Sequence, residues 1–177
     1  MSEWDAVVAA VGRAQQGEPG GHEALLEQWE ATTAGDHAQR CVLAHYLADL
    51  ETELGDEVAW DEVALREHAL LDDDALVAVG IPSARGMAPS LHLNLADGYL
   101  RQGRVDEART QLDAGLAAVD ALGDDGYGAM INGGLERLAE RLAQAGDASA
   151  PLRSGRSPSS PARARRPRRS PPGRARP

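Results

Sequence analysis

The sequence predicts an all-α fold, about seven helices arranged as successive hairpins, followed by a disordered C-terminal tail. Three observations carry this. Almost every apolar segment repeats at helical spacing, no run alternates apolar and polar residues as a half-buried strand does, and Gly, Asp and Pro clusters interrupt the helical pattern at short intervals. From Ala150 to Pro177, 27 of 28 residues are Ala, Pro, Arg, Ser or Gly, a composition with no side chains to build a core. We therefore divide the chain into a helical domain, 1–147, and a tail, 148–177.

The first helix is expected over Glu3 to Gln15, ending at GEPGG, where two glycines and a proline cannot continue it. The second covers His22 to Ala31, with Leu25, Leu26 and Trp29 on one side. Asp36 offers a capping oxygen to a third helix running to Leu54, striped by Leu43, Leu47, Leu50 and Leu54. Gly55-Asp56 marks the next break, and the fourth helix, Glu57 to Leu71, turns Trp60, Ala64 and Leu71 inward. Asp72 to Asp74 cap a short turn through Val79, and GIPSARGMAPS is an irregular loop.

Proline suits a first helical turn, so the fifth helix begins at Pro89 or Ser90 and runs to Gln102. The sixth, Val105 to Leu122, places Val105, Ala108, Leu112, Leu116 and Val119 on one stripe. GDDGYG separates it from the last helix, Gly128 to Ala145, with Ile131, Leu135, Leu138 and Leu142 inward.

Charge divides the chain in two. The 28 acids all lie at or before Asp147, and half of the 18 basic residues lie from Arg153 onward. The body is about −19 and the tail +9. All 18 are arginine, a coding bias toward GC-rich codons. Cys41 is the one cysteine, which excludes an intramolecular disulfide. The N-terminus carries acids where a signal peptide is basic, and no run approaches the ~20 apolar residues of a membrane helix. A soluble cytoplasmic protein without membrane insertion is expected.

GYLRQGRV, Gly98 to Val105, comes within two residues of the phosphate-loop pattern G-x-x-x-x-G-K-[ST]. A helical pattern precedes it instead of a strand, and Val105 has no hydroxyl for magnesium. The helical-hairpin reading accounts for more residues: Gly98 allows close packing, Gly103 ends one helix, and Asp106 and Glu107 occupy the first turn of the next, where the dipole favours acids.

On those residues the stretch Pro89 to Asp120 resembles a tetratricopeptide repeat, a helical hairpin of about 34 residues that stacks into solenoids. Leu95, Ala96, Tyr99, Gly103, Ala108, Leu112 and Gly115 carry the resemblance, which implies that they hold the two helices together and against neighbours. The pattern departs at His92 and Asp120. Matching Gly103 to Gly55 as bend glycines places Leu47 and Ala48 in an earlier hairpin, giving an irregular array of about three hairpins and a final helix, with an insertion at 72–88. CVLAHYLADL and GIPSARGMAPSLHLNLADGYL are also similar to small uncharacterised repeat proteins of actinobacteria. The resemblance implies a non-catalytic module that binds a protein or peptide in the groove lined by the first helix of each pair. The matching positions are Leu93, Asp97, Leu100 and Arg101. The acidic body favours a basic or amphipathic ligand, with the loop from Ile81 to Met87 at the groove's edge.

Other constellations have structural explanations. His37, Cys41 and His45 are spaced by four on one helix, opposite the leucine stripe and beside Ala44, Ala48 and Thr52, which fits a helix interface better than a metal site. Cys41 and the serines lack a nucleophile elbow with a neighbouring His and acid. Ser90 and the carboxylates at Asp72 to Asp74 and Asp124-Asp125 suit helix ends. No catalytic residue, cofactor or metal is expected. For the tail three readings stay open: nucleic acid or anionic membrane binding through phosphates, folding back on the acidic body, or no function, its composition being what a GC-rich gene yields out of frame. The first makes a nucleic-acid-associated protein the alternative function.

Overall fold

The computed structural model describes residues 3–149; of the expected tail, the segment from residue 150 lies outside them. Seven α-helices follow in order: α1 Glu3–Gln15, α2 Gly21–Ala31, α3 His37–Leu50, α4 Leu54–His68, α5 Ala88–Arg101, α6 Val105–Ala117 and α7 Gly126–Ser149. Short 3₁₀ turns occupy Val77–Val79, Ala84–Met87 and Val119–Ala121. Among the described residues there is no strand, and no helix is long and apolar enough to cross a membrane.

Each helix packs on the next, giving three antiparallel hairpins, α1/α2, α3/α4 and α5/α6, closed by α7. Next-but-one helices also meet at α1 and α3 and at α5 and α7. The all-helical architecture of seven helices is the one the hydrophobic period predicts.

Two apolar clusters hold the stack. Leu25, Leu43, Leu47 and Leu76 centre the first, drawn mainly from α1 to α4. Leu95, Ala96, Tyr99, Ala108, Leu112, Leu135 and Leu138 form the second, between α4 and α7. Burying each leucine stabilises by roughly 1.5–3 kcal/mol relative to exposure, which far exceeds any helix propensity difference here.

Several boundaries differ from expectation. The third helix stops at Leu50, and Leu54 opens α4, so Gly55 lies in the first turn of α4 instead of forming the bend. The bend is the linker 51–53, with Glu51 in extended backbone. Its cause is tertiary: Glu51 Oε1 accepts from Trp60 Nε1 at 3.1 Å and from His22 Nε2 at 3.2 Å. Gly103, by contrast, has a φ of 77° and turns the chain as expected.

Leu116 is 42% exposed, not inward. Gly115 takes the contact, because Leu135 Cδ2 lies 3.0 Å and His92 Cβ 3.2 Å from where its Cβ would stand. Asp36 does not cap α3 through its side chain; Oδ2 reaches back to the Thr33 N–H and hydroxyl at 2.6 and 2.8 Å. Asp73 stitches the insertion instead of capping a turn, accepting from Ser83 Oγ at 2.6 Å and Arg85 N at 3.1 Å. Asp125 does cap, Oδ1 accepting from Gly128 N at 2.8 Å.

Candidate functional site

The α3/α4 and α5/α6 hairpins pack through α4 and α5, while α3 and α5 do not close on each other as α1 does on α3. Between them, floored by α4 and walled by α7, lies a cavity of about 400 Å³. That volume falls in the range of small-ligand sites. α3 contributes Ala48 and Asp49, α4 Glu57 and Asp61, α5 Leu93, Asn94 and Asp97, and α7 Gly134, Arg137, Leu138 and Arg141. Glu51, in the bend, completes the rim.

Helical spacing puts these side chains together. Leu93 and Asp97 are four apart and share a face of α5, as Gly134, Leu138 and Arg137, Arg141 do on α7. Five acids face two arginines, so the lining is net negative. Arg141 Nη1 lies 2.5 Å from Asp97 Oδ1 and ties α7 to α5. Arg101 Nη1 reaches Glu57 Oε1 at 2.5 Å and Asp97 Oδ2 at 3.8 Å.

Asp61 is the anomaly. It is 3% exposed, and its Oδ1 has no hydrogen-bond partner among the described residues. Burial, then the neighbouring Asp49 and Glu57 carboxylates, push its pKa up to about 8 against the pull of Arg101. Above it on α3, desolvation raises the pKa of Asp49 and lowers that of His45, each partly offset by the other. His45 Nδ1 is also buried without a hydrogen-bond partner among the described residues.

Of the expected binding residues, Leu93 and Asp97 line this cavity. Leu100 packs against the second apolar cluster, and Arg101 stays at the edge, holding Glu57. Asp97 and Arg101 pair only loosely, Asp97's closer partner being Arg141 from α7. The loop from Ile81 to Met87 supplies none of the lining; Ala84 and Met87 are buried in the first cluster. Asp61 escaped sequence reasoning. Its only sequence signal is an acid three residues before Ala64 on an otherwise inward face.

The seven positions expected to pack a repeat lie at the α5/α6 joint. Leu95, Ala96, Tyr99, Ala108, Leu112 and Gly115 are buried, and exposed Gly103 makes the turn. Tyr99 Oη donates to Glu62 Oε1 at 2.7 Å while the Arg104 guanidinium covers its ring at 3.9 Å. Burial and that carboxylate push the phenol up to about 12.

His37, Cys41 and His45 go to separate environments. His37 Nδ1 bonds Glu67 Oε2 at 2.7 Å, Cys41 is fully buried with its thiol pushed up to about 12, and His45 tilts against Tyr46. Among the described residues no group of three or more His, Cys, Asp or Glu is placed to hold a metal ion. No family model, curated protein or solved structure matches the chain.

Proposed function

We propose that this chain is a non-catalytic, tetratricopeptide-like module that binds a protein or peptide segment in the groove between α3, α5 and α7. The observation that carries the reading is the net-negative cavity itself, where the first helices of two hairpins and the closing helix converge, with Leu93 and Asp97 on its wall. Its lining combines apolar walls from Ala48, Leu93 and Leu138 with fixed charges, the mixture that binds an amphipathic, basic segment. A cytoplasmic setting accords with this reading.

The test is binding of an array of basic and amphipathic peptides to the full chain. Leu93→Ala with Asp97→Arg is expected to weaken the best binder at least ~10-fold, since it removes an apolar wall and inverts a charge. Unchanged affinity would place the site elsewhere.

A further inference from the structure

If the groove takes a peptide, as proposed above, its floor specifies which side chain that peptide brings. Three of the five carboxylates on the wall have hydrogen-bond partners: Glu51 accepts from Trp60 and His22, Glu57 from Arg101, and Asp97 from Arg141. Asp61 Oδ1 has none among the described residues, although the residue is only 3% exposed and lines the cavity. A buried polar group without a partner costs free energy that a bound donor recovers.

The donor must be cationic, because the acidic Asp49 and Glu57 stand beside Asp61, and no arginine among the described residues pairs with Asp49. A bare metal ion is disfavoured by the absence, among the described residues, of a three-ligand cluster. A guanidinium meets the requirement better than an ammonium. It sheds water more readily, and its planar fork presents five donors, enough to serve Asp61 and a second wall carboxylate together. The cavity already pairs carboxylate with guanidinium at Asp97 and Arg141.

We propose that the cavity is an arginine subsite: the guanidinium of an arginine in a partner peptide enters between α3 and α5 and donates to Asp61 Oδ1, with Asp49 completing the charge match. Before the guanidinium arrives, Asp61 keeps a proton, its pKa being raised to about 8 by burial and its acidic neighbours. Arginine displaces that proton, so affinity rises with pH up to about 8 and levels off above. Facing Asp61 are Asp49 from α3, Glu57 from α4 and Asp97 with Arg101 from α5; Arg137 and Arg141 of α7 share the cavity. Behind Asp49, desolvation lowers the pKa of His45 against the pull of the Asp49 carboxylate.

The experiment uses the isotopically labelled full chain and a short Gly/Ser peptide bearing one arginine, against the same peptide bearing citrulline, its neutral isostere. Backbone shifts at Asn94 and Gly134 report occupancy. The arginine peptide is expected to bind at least ~10-fold tighter, with affinity rising between about pH 6 and about pH 8, and Asp61→Asn is expected to remove both effects. Equal affinity for the two peptides, or an arginine preference surviving Asp61→Asn, overturns the subsite. A peptide without arginine that still binds through Leu93 and Asp97 would keep the groove reading while sinking this one. Repeating the titration with the nine arginines from Arg153 to Arg176 changed to Gln separates the sources. Similar affinity supports an external partner, whereas binding only to the neutralised chain assigns the subsite to its own arginines and overturns it.

Discussion

A Cβ placed on Gly98 would stand 2.6 Å from Cγ2 of Val58, a buried side chain of α4. Glycine here lets α4 and α5, the joint between the second and third hairpins, approach within a distance that no other residue permits. Gly98→Ala gains about 1 kcal/mol of helix propensity but forces a stiff β-branched neighbour to move, at about 1–3 kcal/mol. We expect a net loss of about 1 kcal/mol in urea unfolding. Adding Val58→Ala should make the Gly98→Ala step favourable, and a double-mutant cycle measures the coupling.

Gly103 and Gly55 make opposite predictions. Gly103 sits at φ 77° with open space around it, so Gly103→Ala should cost about 1 kcal/mol through backbone strain alone. Gly55 lies in the first turn of α4 with ordinary backbone, and nothing comes within 4 Å of the place an added methyl would occupy. Gly55→Ala should therefore stabilise by up to ~1 kcal/mol. Thermal melts giving the same sign for both would contradict the placement of the α3/α4 bend at 51–53.

Asp61 makes stability depend on pH. Its folded pKa, about 8, is raised above the unfolded value near ~4, so between those values folding takes up a proton and stability falls as pH rises. Below about pH 4 both states are protonated and the penalty vanishes; above about pH 8 it is complete. Asp61→Asn should gain about 1–2 kcal/mol at pH 8 and almost nothing at pH 4, the amide's own desolvation limiting the gain. Melting curves of both chains across that range provide the check.

Glu67 behaves oppositely. Burial would raise its pKa, but hydrogen bonds from His37 and Arg40 override this and hold it below the usual value. Its stabilisation is present above the unfolded pKa and is lost as pH falls through the lower folded one. Arg40 also covers the Trp29 ring at 3.8 Å and donates to Thr32. Arg40→Ala should cost roughly 2–3 kcal/mol in denaturant unfolding, through a weakened buried carboxylate and a lost cation–π contact.

Seven helices and the hairpin order were legible because helical period and punctuation are local properties. α1 and the α5/α6 bend follow expectation for that reason: a proline and a turn glycine act within a few residues of themselves. The α3/α4 bend was not legible. Its linker, 51–53, has neither Gly nor Pro, and the contacts that fix Glu51 come from His22 and Trp60, 29 and 9 residues away.

The candidate site divides along the same line. The tetratricopeptide resemblance points to Leu93 and Asp97 as groove positions, and their spacing of four puts them on one face of α5. Which carboxylates those residues would meet depended on the gap between α3 and α5 and on α7 folding across it, and sequence distance hides both. Asp61 shows the difference most sharply. As a residue it is one of 28 acids, and only the packing of α3, α5 and α7 around α4 strips it of water and leaves its Oδ1 without a partner among the described residues. The sequence determined the helices, their order and the sign of the body's charge, since these follow from neighbouring residues and composition. The tertiary structure decided where that charge became buried, because desolvation is a property of the surroundings and not of the residue.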